Sequence, residues 1–382
     1  MCFTSRFFLD FICRYYLLFF FLFKPLLLLD PHHLLSVICP SFAYPPFAYP
    51  SFVSTIVNAM NSLKLTTLHN LALHCGYPTL TTKASRLAIA DAYRPLLNMF
   101  SFPLNVLSID VGIKNFSYCK LRYSGRNHKV TIADWNYVNL HDRFGDGYSP
   151  ITAGSVSAVD SKAYLAHLAL SVVDNVLACP KWTPNVITIE NQRTRSNSNS
   201  STLPNVLLNF TLEHMIYAAF AARKSDSTRL SQTVIMPMNS NKMVNFWLTR
   251  FLAKTKLTAA QSKLLRTNLL YGWLSNPELA PFPLPIGLEQ NFGSLSSRAK
   301  TAAFLDLLSL DSRPTKVDDL VDCILYNMAF AKQLEHHLEL EKARAEHNDI
   351  SELTARWDKE HCVYLTPLIA SGKMSLNDAY RT

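Results

Sequence analysis

One stretch limits the fold of this chain more than any other. The apolar run 104–109 ends in a single carboxylate, Asp110, and after Val111-Gly112-Ile113-Lys114-Asn115 a second apolar run extends from Phe116 to Leu121. Two short apolar runs separated by a Gly-containing turn predict a β-hairpin with an acid at the rim of a buried strand. A charge in that place is costly to desolvate unless it is paired or binds a cation.

Over 382 residues, 49% are hydrophobic and 17% charged, enough for one large domain and a small one. The formal charge of +9 favours polyanionic partners such as nucleic acid. The eight cysteines include no C-x-x-C pair and no zinc-like spacing. That pattern fits core thiols in a reducing compartment rather than a disulfide framework.

Residues 7–29 are almost wholly Phe, Leu, Ile and Tyr, long enough for a membrane span but interrupted by Asp10, Arg14 and Lys24. A Pro-rich stretch, 40–50, repeats Phe-Ala-Tyr-Pro and reads as an extended linker. Residues 1–59 are expected to be a targeting segment or to precede a true start at Met60, which leaves membrane association open. Within 61–92, Leu65, Leu68, Leu71, Ala72 and Leu73 form a helical apolar stripe. Cys75-Gly76-Tyr77-Pro78 breaks it, and Thr81-Thr82-Lys83 starts a second helix with Leu87, Ala88 and Ile89. The unit resembles a SAP motif, a small DNA-binding module, and an ordinary helical hairpin packed on the main domain is its structural alternative. In the DNA-binding reading Lys83 and Arg86 touch phosphates near the second helix's N-terminal end.

The main domain is expected over 103–345, with 346–382 as a C-terminal tail. Strands are predicted at 104–109, 115–123, 129–138, 185–190 and 232–236. Helices are predicted at 163–177, 203–222, 240–253, 258–274, 296–308 and 317–347. The resulting β-β-β-α-β-α-β-α order, with extra helices before the last, predicts an α/β class: a mixed sheet flanked by helices, ribonuclease H-like. Phe246 and Trp247 are expected in the core, and His336, His337 and 339–346 at an exposed helix end.

A second apolar strand, 186–189, also ends in a carboxylate, Glu190. A third acidic group, Asp318, Asp319 and Asp322, opens the last long helix. Asp319 and Asp322 are three apart, and Asp318 and Asp322 four, so either pair shares a helical face. Acids in a first turn also suit the helix dipole, whereas Asp322 lies deeper, beside Cys323, Ile324 and Leu325. Phosphodiester hydrolysis needs an activated water and a stabilised leaving oxygen, and two divalent ions roughly 4 Å apart supply both. Mg²⁺, with Mn²⁺ as a substitute, takes oxygen ligands, hence carboxylates. The expected set is Asp110 bridging, Glu190 on one ion, and Asp322 with Asp319 or Asp318 on the other.

These motifs, Ile109–Tyr118, Ile189-Glu190-Asn191-Gln192-Arg193-Thr194-Arg195-Ser196 and Lys316-Val317-Asp318-Asp319-Leu320-Val321-Asp322, resemble the fungal mitochondrial Holliday-junction resolvases, the cruciform-cutting endonucleases. The resemblance covers about residues 61–340. It implies a ribonuclease H-like fold, a homodimer, Mg²⁺ dependence without a small-molecule cofactor, and paired nicking of four-way DNA junctions in the mitochondrial matrix or nucleoid.

Flanking residues fit DNA contact. Lys114 and Asn115 occupy the first hairpin turn, and Gln192, Arg193 and Arg195 follow Glu190, where Arg forks suit phosphates. The polar run 197–201 is expected as a loop ordered by DNA. Lys242, Arg250, Lys254, Lys256, Lys263 and Arg266 form a basic belt that either lines a junction-binding face or is a solvated helix exterior. The helix 203–222 is apolar on more than one face, which fits burial or a dimer seam. Alternative functions are a non-catalytic junction-binding protein of the nucleoid, a nuclease for RNA–DNA hybrids, and an unrelated membrane-anchored protein.

Overall fold

Two parallel strands buried along nearly their whole length organise the chain. The computed structural model describes residues 63–125, 130–152, 158–192, 204–253, 256–283, 292–310 and 312–380. Residues 1–59, Arg193, Arg195, 197–201 and Lys254, all named above, lie outside them. The elements begin with α1 (Leu65–His74) and α2 (Lys83–Leu97), then β1 (Leu104–Asp110), β2 (Phe116–Tyr123) and β3 (Val130–Val138). There follow α3 (Leu140–Phe144), α4 (Ala158–Val172) with a π-helical turn to Leu177, β4 (Val186–Glu190), α5 (Pro204–Ser225) and β5 (Val234–Met238). The chain continues through α6 (Ser240–Trp247), α7 (Ala259–Ser275), α8 (Ser297–Leu308), α9 (Asp318–Ala345) and α10 (Ile350–Ala370).

The sheet order is β3-β2-β1-β4-β5, with β1–β2 and β2–β3 antiparallel and β1–β4 and β4–β5 parallel. This is the ribonuclease H-like mixed sheet that the element order predicts. Successive side chains of a strand point to opposite faces. Leu107 and Ile109 of β1 and Ile187 and Ile189 of β4 therefore meet Leu168 and Val172 of α4 and Leu212 and Ile216 of α5. The other parity faces α9: Ser108 bonds Asn327, while Val106 and Val186 join Phe330 and Leu334. Both faces are covered, which explains why β1 and β4 read as nearly unbroken apolar runs.

The β1–β2 turn requires Gly112: a Cβ there would come within 2.9 Å of the Asn115 carbonyl oxygen. A second close approach joins α7 to α10, where a Cβ on Gly272 would lie 2.6 Å from Pro367 Cβ.

The helix–loop–helix at the N-terminal side of the described chain forms as the apolar stripe predicts. Thr82 caps α2, accepting from Ser85 N at 3.1 Å. The pair is docked on the larger body. Tyr77 Oη lies 2.6 Å from His337 Nδ1, Gln333 Nε2 donates to Leu73 O at 3.2 Å, and His336 Nδ1 contacts His74 O at 3.1 Å. His336 and His337 are consequently buried, against the expectation of an exposed helix end. The expected tail 346–382 instead contains α10, whose Trp357 and Leu365 are fully buried and pack in two of the three hydrophobic cores. A lone amphipathic helix beyond the motifs carries no signal of where it docks, and this one closes over α1, α7 and α9. Phe246 and Trp247 are in the core as expected. Among the described residues no helix is long and apolar enough to cross a membrane.

Candidate metal centre

The parallel pairing of β1 with β4 sets Ser108 against Thr188 and Ile109 against Ile189, so both strands end in an acid at the same edge of the sheet. Behind that edge a buried polar network fixes the helix above. Ser108 Oγ lies 2.6 Å from Thr188 Oγ1 and donates to Asn327 Oδ1 at 2.6 Å, and Asn327 Nδ2 donates to Cys119 O at 2.8 Å. α9 is thereby tied to β1 and β2, with its first turns above the strand ends.

Asp110, Glu190 and Asp322 converge there, each offering a carboxylate oxygen, all within 4.8 Å of one another. Together with Asp319 they line a cavity of about 710 Å³, whose other walls include Asn209, Ser240, Asn245 and residues of α7. Burial, and then Glu190, Asp319, Asp322 and Asp318, hold the Asp110 carboxyl well above the usual carboxylate range. Burial and Asp318 push Asp319 up to about 6. Burial pushes Asp322 up to about 7 against the opposing pull of Arg266. Convergent acids, Asp322 buried and the others half-buried, that cannot all ionise together fit a hard divalent cation, which takes oxygen ligands and relieves their repulsion. Asp322 Oδ1 is buried and faces Arg266 Nε at 2.7 Å without an aligned hydrogen bond.

Asp318 points elsewhere and is ion-paired with Lys263 of α7. Of the two neighbouring acids, Asp319 lines the cavity and Asp318 does not. Lys114 and Asn115 are exposed in the hairpin turn and line an adjoining cavity with Asp110, Gln192, His141 and Asp319. Tyr137 Oη donates to Lys114 O at 2.7 Å and to Asn115 Oδ1 at 3.0 Å, which stiffens that turn. Gln192 lines both cavities, and its backbone N–H donates to Glu213 Oε2 at 2.9 Å. Lys83 and Arg86 lie on α2, in none of the cavities that hold the acids. Arg86 Nη1 donates to Leu65 O at 2.8 Å and its Nε to Leu80 O, so its guanidinium ties the helix pair together.

The basic belt does not form as one surface. Arg250 is buried, with Nη1 3.3 Å from Asp358 and 3.0 Å from His74 Nε2. Arg266 is buried against Asp322, and Lys263 is paired with Asp318, while Lys256 is exposed. Sequence spacing treats these cations as a helix exterior because their acidic partners lie 55 to 108 residues downstream (Lys263 to Asp318, Arg250 to Asp358). Spacing along the chain thus gives no sign that Arg266 and Lys263 are partners of the acidic cluster. Nor does it give the Ser108–Thr188–Asn327 network, although Ser108 and Thr188 each stand two residues before a strand-end acid.

The family described as mitochondrial resolvase Ydc2 / RNA splicing MRS1 matches residues 106–340. The chain is similar to "Cruciform cutting endonuclease 1, mitochondrial" of Saccharomyces cerevisiae, 22% identical over 257 residues, covering 61% of this chain and 70% of that relative. It is also similar to the protein of the same name from Schizosaccharomyces pombe, 27% identical over 167 residues, covering 41% of this chain and 58% of that relative. Among solved structures, the yeast mitochondrial Holliday junction resolvase Ydc2 matches with 20% identity and a TM-score of 0.43, covering 74% of this chain and 97% of the other.

Proposed function

This chain belongs to the mitochondrial resolvase Ydc2 / RNA splicing MRS1 family, and we propose that it is a metal-dependent endonuclease that resolves four-way DNA junctions. It acts in mitochondria, the compartment that its relatives' names give, and there in DNA recombination and maintenance. The observation that carries this reading is the meeting of Asp110, Glu190 and Asp322 in one cavity, from three elements far apart in the chain. A binding protein without catalysis has no use for desolvated carboxylates that destabilise one another, so their retention favours the enzyme.

A divalent cation held by these acids would activate water and stabilise the leaving oxygen at the scissile phosphate. Asp110, Glu190, Asp322 and Asp319 would hold the cation, with Mg²⁺ as the proposed resident ion and Mn²⁺ as a substitute. The hairpin turn and the end of β4 stand beside the acids, so Lys114, Asn115 and Gln192 are proposed to hold the flanking phosphates. Arg193 and Arg195, which follow at once, are proposed to extend that contact. Lys83 and Arg86, on the SAP-like pair, are proposed to touch DNA further from the scissile bond. Hydrolysis would leave 5′-phosphate and 3′-hydroxyl ends. Paired nicking needs two such sites, and a homodimer is proposed to supply them; Leu207 and Leu208 of α5 are exposed and apolar enough to serve a seam.

The test is a synthetic mobile four-way junction incubated with the purified protein, with and without Mg²⁺, beside a linear duplex and an RNA–DNA hybrid. Symmetric nicks in the junction alone, only with the cation, are expected. Cleavage of the hybrid in preference to the junction would replace the substrate assignment, and junction binding without any cut would leave a non-catalytic protein.

A further inference from the structure

We infer that Arg266 is a positioning residue for Asp322: its guanidinium faces both oxygens of a cation ligand, holds the carboxylate's orientation, and opposes cation binding by its own charge. The inference rests on the proposed metal-dependent reaction and adds to it a residue from the inserted helix α7.

Arg266 is only 5% exposed, and so is Asp322. Nη2 donates to Asp322 Oδ2 at 2.9 Å. Nε stands 2.7 Å from Oδ1, so the guanidinium contacts both carboxylate oxygens. Behind the guanidinium, Nη1 donates to Ser262 Oγ at 3.0 Å, one turn earlier on the same helix. That helix is itself firmly started by a capping box between Thr258 and Gln261. One residue on from Ser262, Lys263 engages Asp318. α7 therefore sorts the acids at the head of α9, drawing Asp318 out of the cavity and setting Asp322 within it.

An ion pair that served stability alone would stand apart from other acids. This one forms part of the wall of a cavity that also holds Asp110, Glu190 and Asp319. The two consequences have opposite signs. A fixed positive charge beside the acids repels a cation through Coulomb interaction. A planar guanidinium held from behind pre-sets its partner's orientation, which favours turnover. Removing Arg266 should therefore tighten cation binding and slow cleavage, a split that loss of a merely structural pair does not give.

The experiment reads Mn²⁺ binding by electron paramagnetic resonance without DNA, and single-turnover junction cleavage at saturating Mn²⁺. In Arg266→Gln, Mn²⁺ should bind at least ~3-fold tighter with the positive charge gone, while cleavage slows at least ~10-fold through lost orientation. Arg266→Lys, which keeps the charge and loses the fork, should bind Mn²⁺ like the wild type and cleave at an intermediate rate. Ser262→Ala should also slow cleavage at unchanged affinity. Weaker or unchanged Mn²⁺ binding by a folded Arg266→Gln, or an unchanged rate, would overturn the proposal. If Arg266→Gln does not fold, unchanged rates in both milder variants overturn it, and slower cleavage at wild-type affinity upholds it. A wild-type protein that binds Mn²⁺ but cuts no junction would sink the functional reading instead, while the affinity comparison would still report on the Arg266 charge.

Discussion

Ser108 and Thr188 stand side by side across the parallel β1–β4 pair with their hydroxyls 2.6 Å apart, two residues short of Asp110 and Glu190. Asn327 closes this contact from α9 and also donates to the β2 carbonyl of Cys119. One fully buried amide thus holds three elements in the relation that brings the acids together.

Replacing Asn327 by Ala cuts Ser108's link to α9, leaving Thr188 as its partner, and takes the side-chain donor from the Cys119 carbonyl, at a cost of about 1–3 kcal/mol. Thermal unfolding should show a lower Tm, and the cation affinity of the folded fraction should fall because α9 is no longer registered to the sheet. An unchanged Tm and affinity would mean that the network does not position the acids.

Asp110→Asn should abolish cleavage and leave junction binding intact. It should also raise stability in cation-free buffer, because it removes a buried carboxylate that Glu190, Asp319 and Asp322 repel. A gain of ~0.5–2 kcal/mol is in the range seen when a strained functional site is relaxed. Retained cutting by this variant would remove Asp110 from the reaction.

Cation affinity should rise with pH. Asp319 and Asp322, pushed up to about 6 and about 7, keep protons in the cation-free folded state that the cation must displace. Their folded values lie above those of the unfolded chain, so the stability they contribute is present at low pH and is lost as pH rises through about 6 and 7. Divalent cations should therefore raise Tm more at pH 8 than at pH 5.5. A Tm increment independent of pH over that interval would show that these groups are ionised before the cation arrives.

Acid should weaken the docking of α1 and α10. Burial holds His74, His336 and His361 well below the usual imidazole range, with Arg250 beside all three. Because their folded values lie below the unfolded one, the folded state refuses protons that the unfolded chain accepts. Stability from these groups is full above about pH 6.5 and falls below it, by about 1.4 kcal/mol per pH unit for each histidine. With saturating divalent cation present, which keeps the acidic cluster ionised, Tm should drop steeply between pH 6.5 and 5. A flat profile there would place the histidines in contact with water.

Much of this protein can be read from short-range pattern. Apolar runs of strand length, the Gly112 turn and a carboxylate at the end of two runs are local properties, and they locate β1, β2, β4 and two of the acids. The same is true of the acidic start of α9, where helical spacing puts Asp319 and Asp322 on one face. Asp318 shows where such spacing stops: four residues from Asp322, it shares that face equally well, and only Lys263 on another helix draws it away.

What folding in three dimensions decided are the long-range pairings. Arg250 and Arg266 look like surface cations because charge spaced along a helix is usually solvated, yet each is buried against an acid many residues downstream. His336 and His337 look like an exposed helix end until α1, α2 and α10 cover them. A linear pattern records which side of a strand or helix a residue occupies, since that depends on backbone geometry alone. It does not record which element will cover that side, and here the covering helices determine which acids face the cavity.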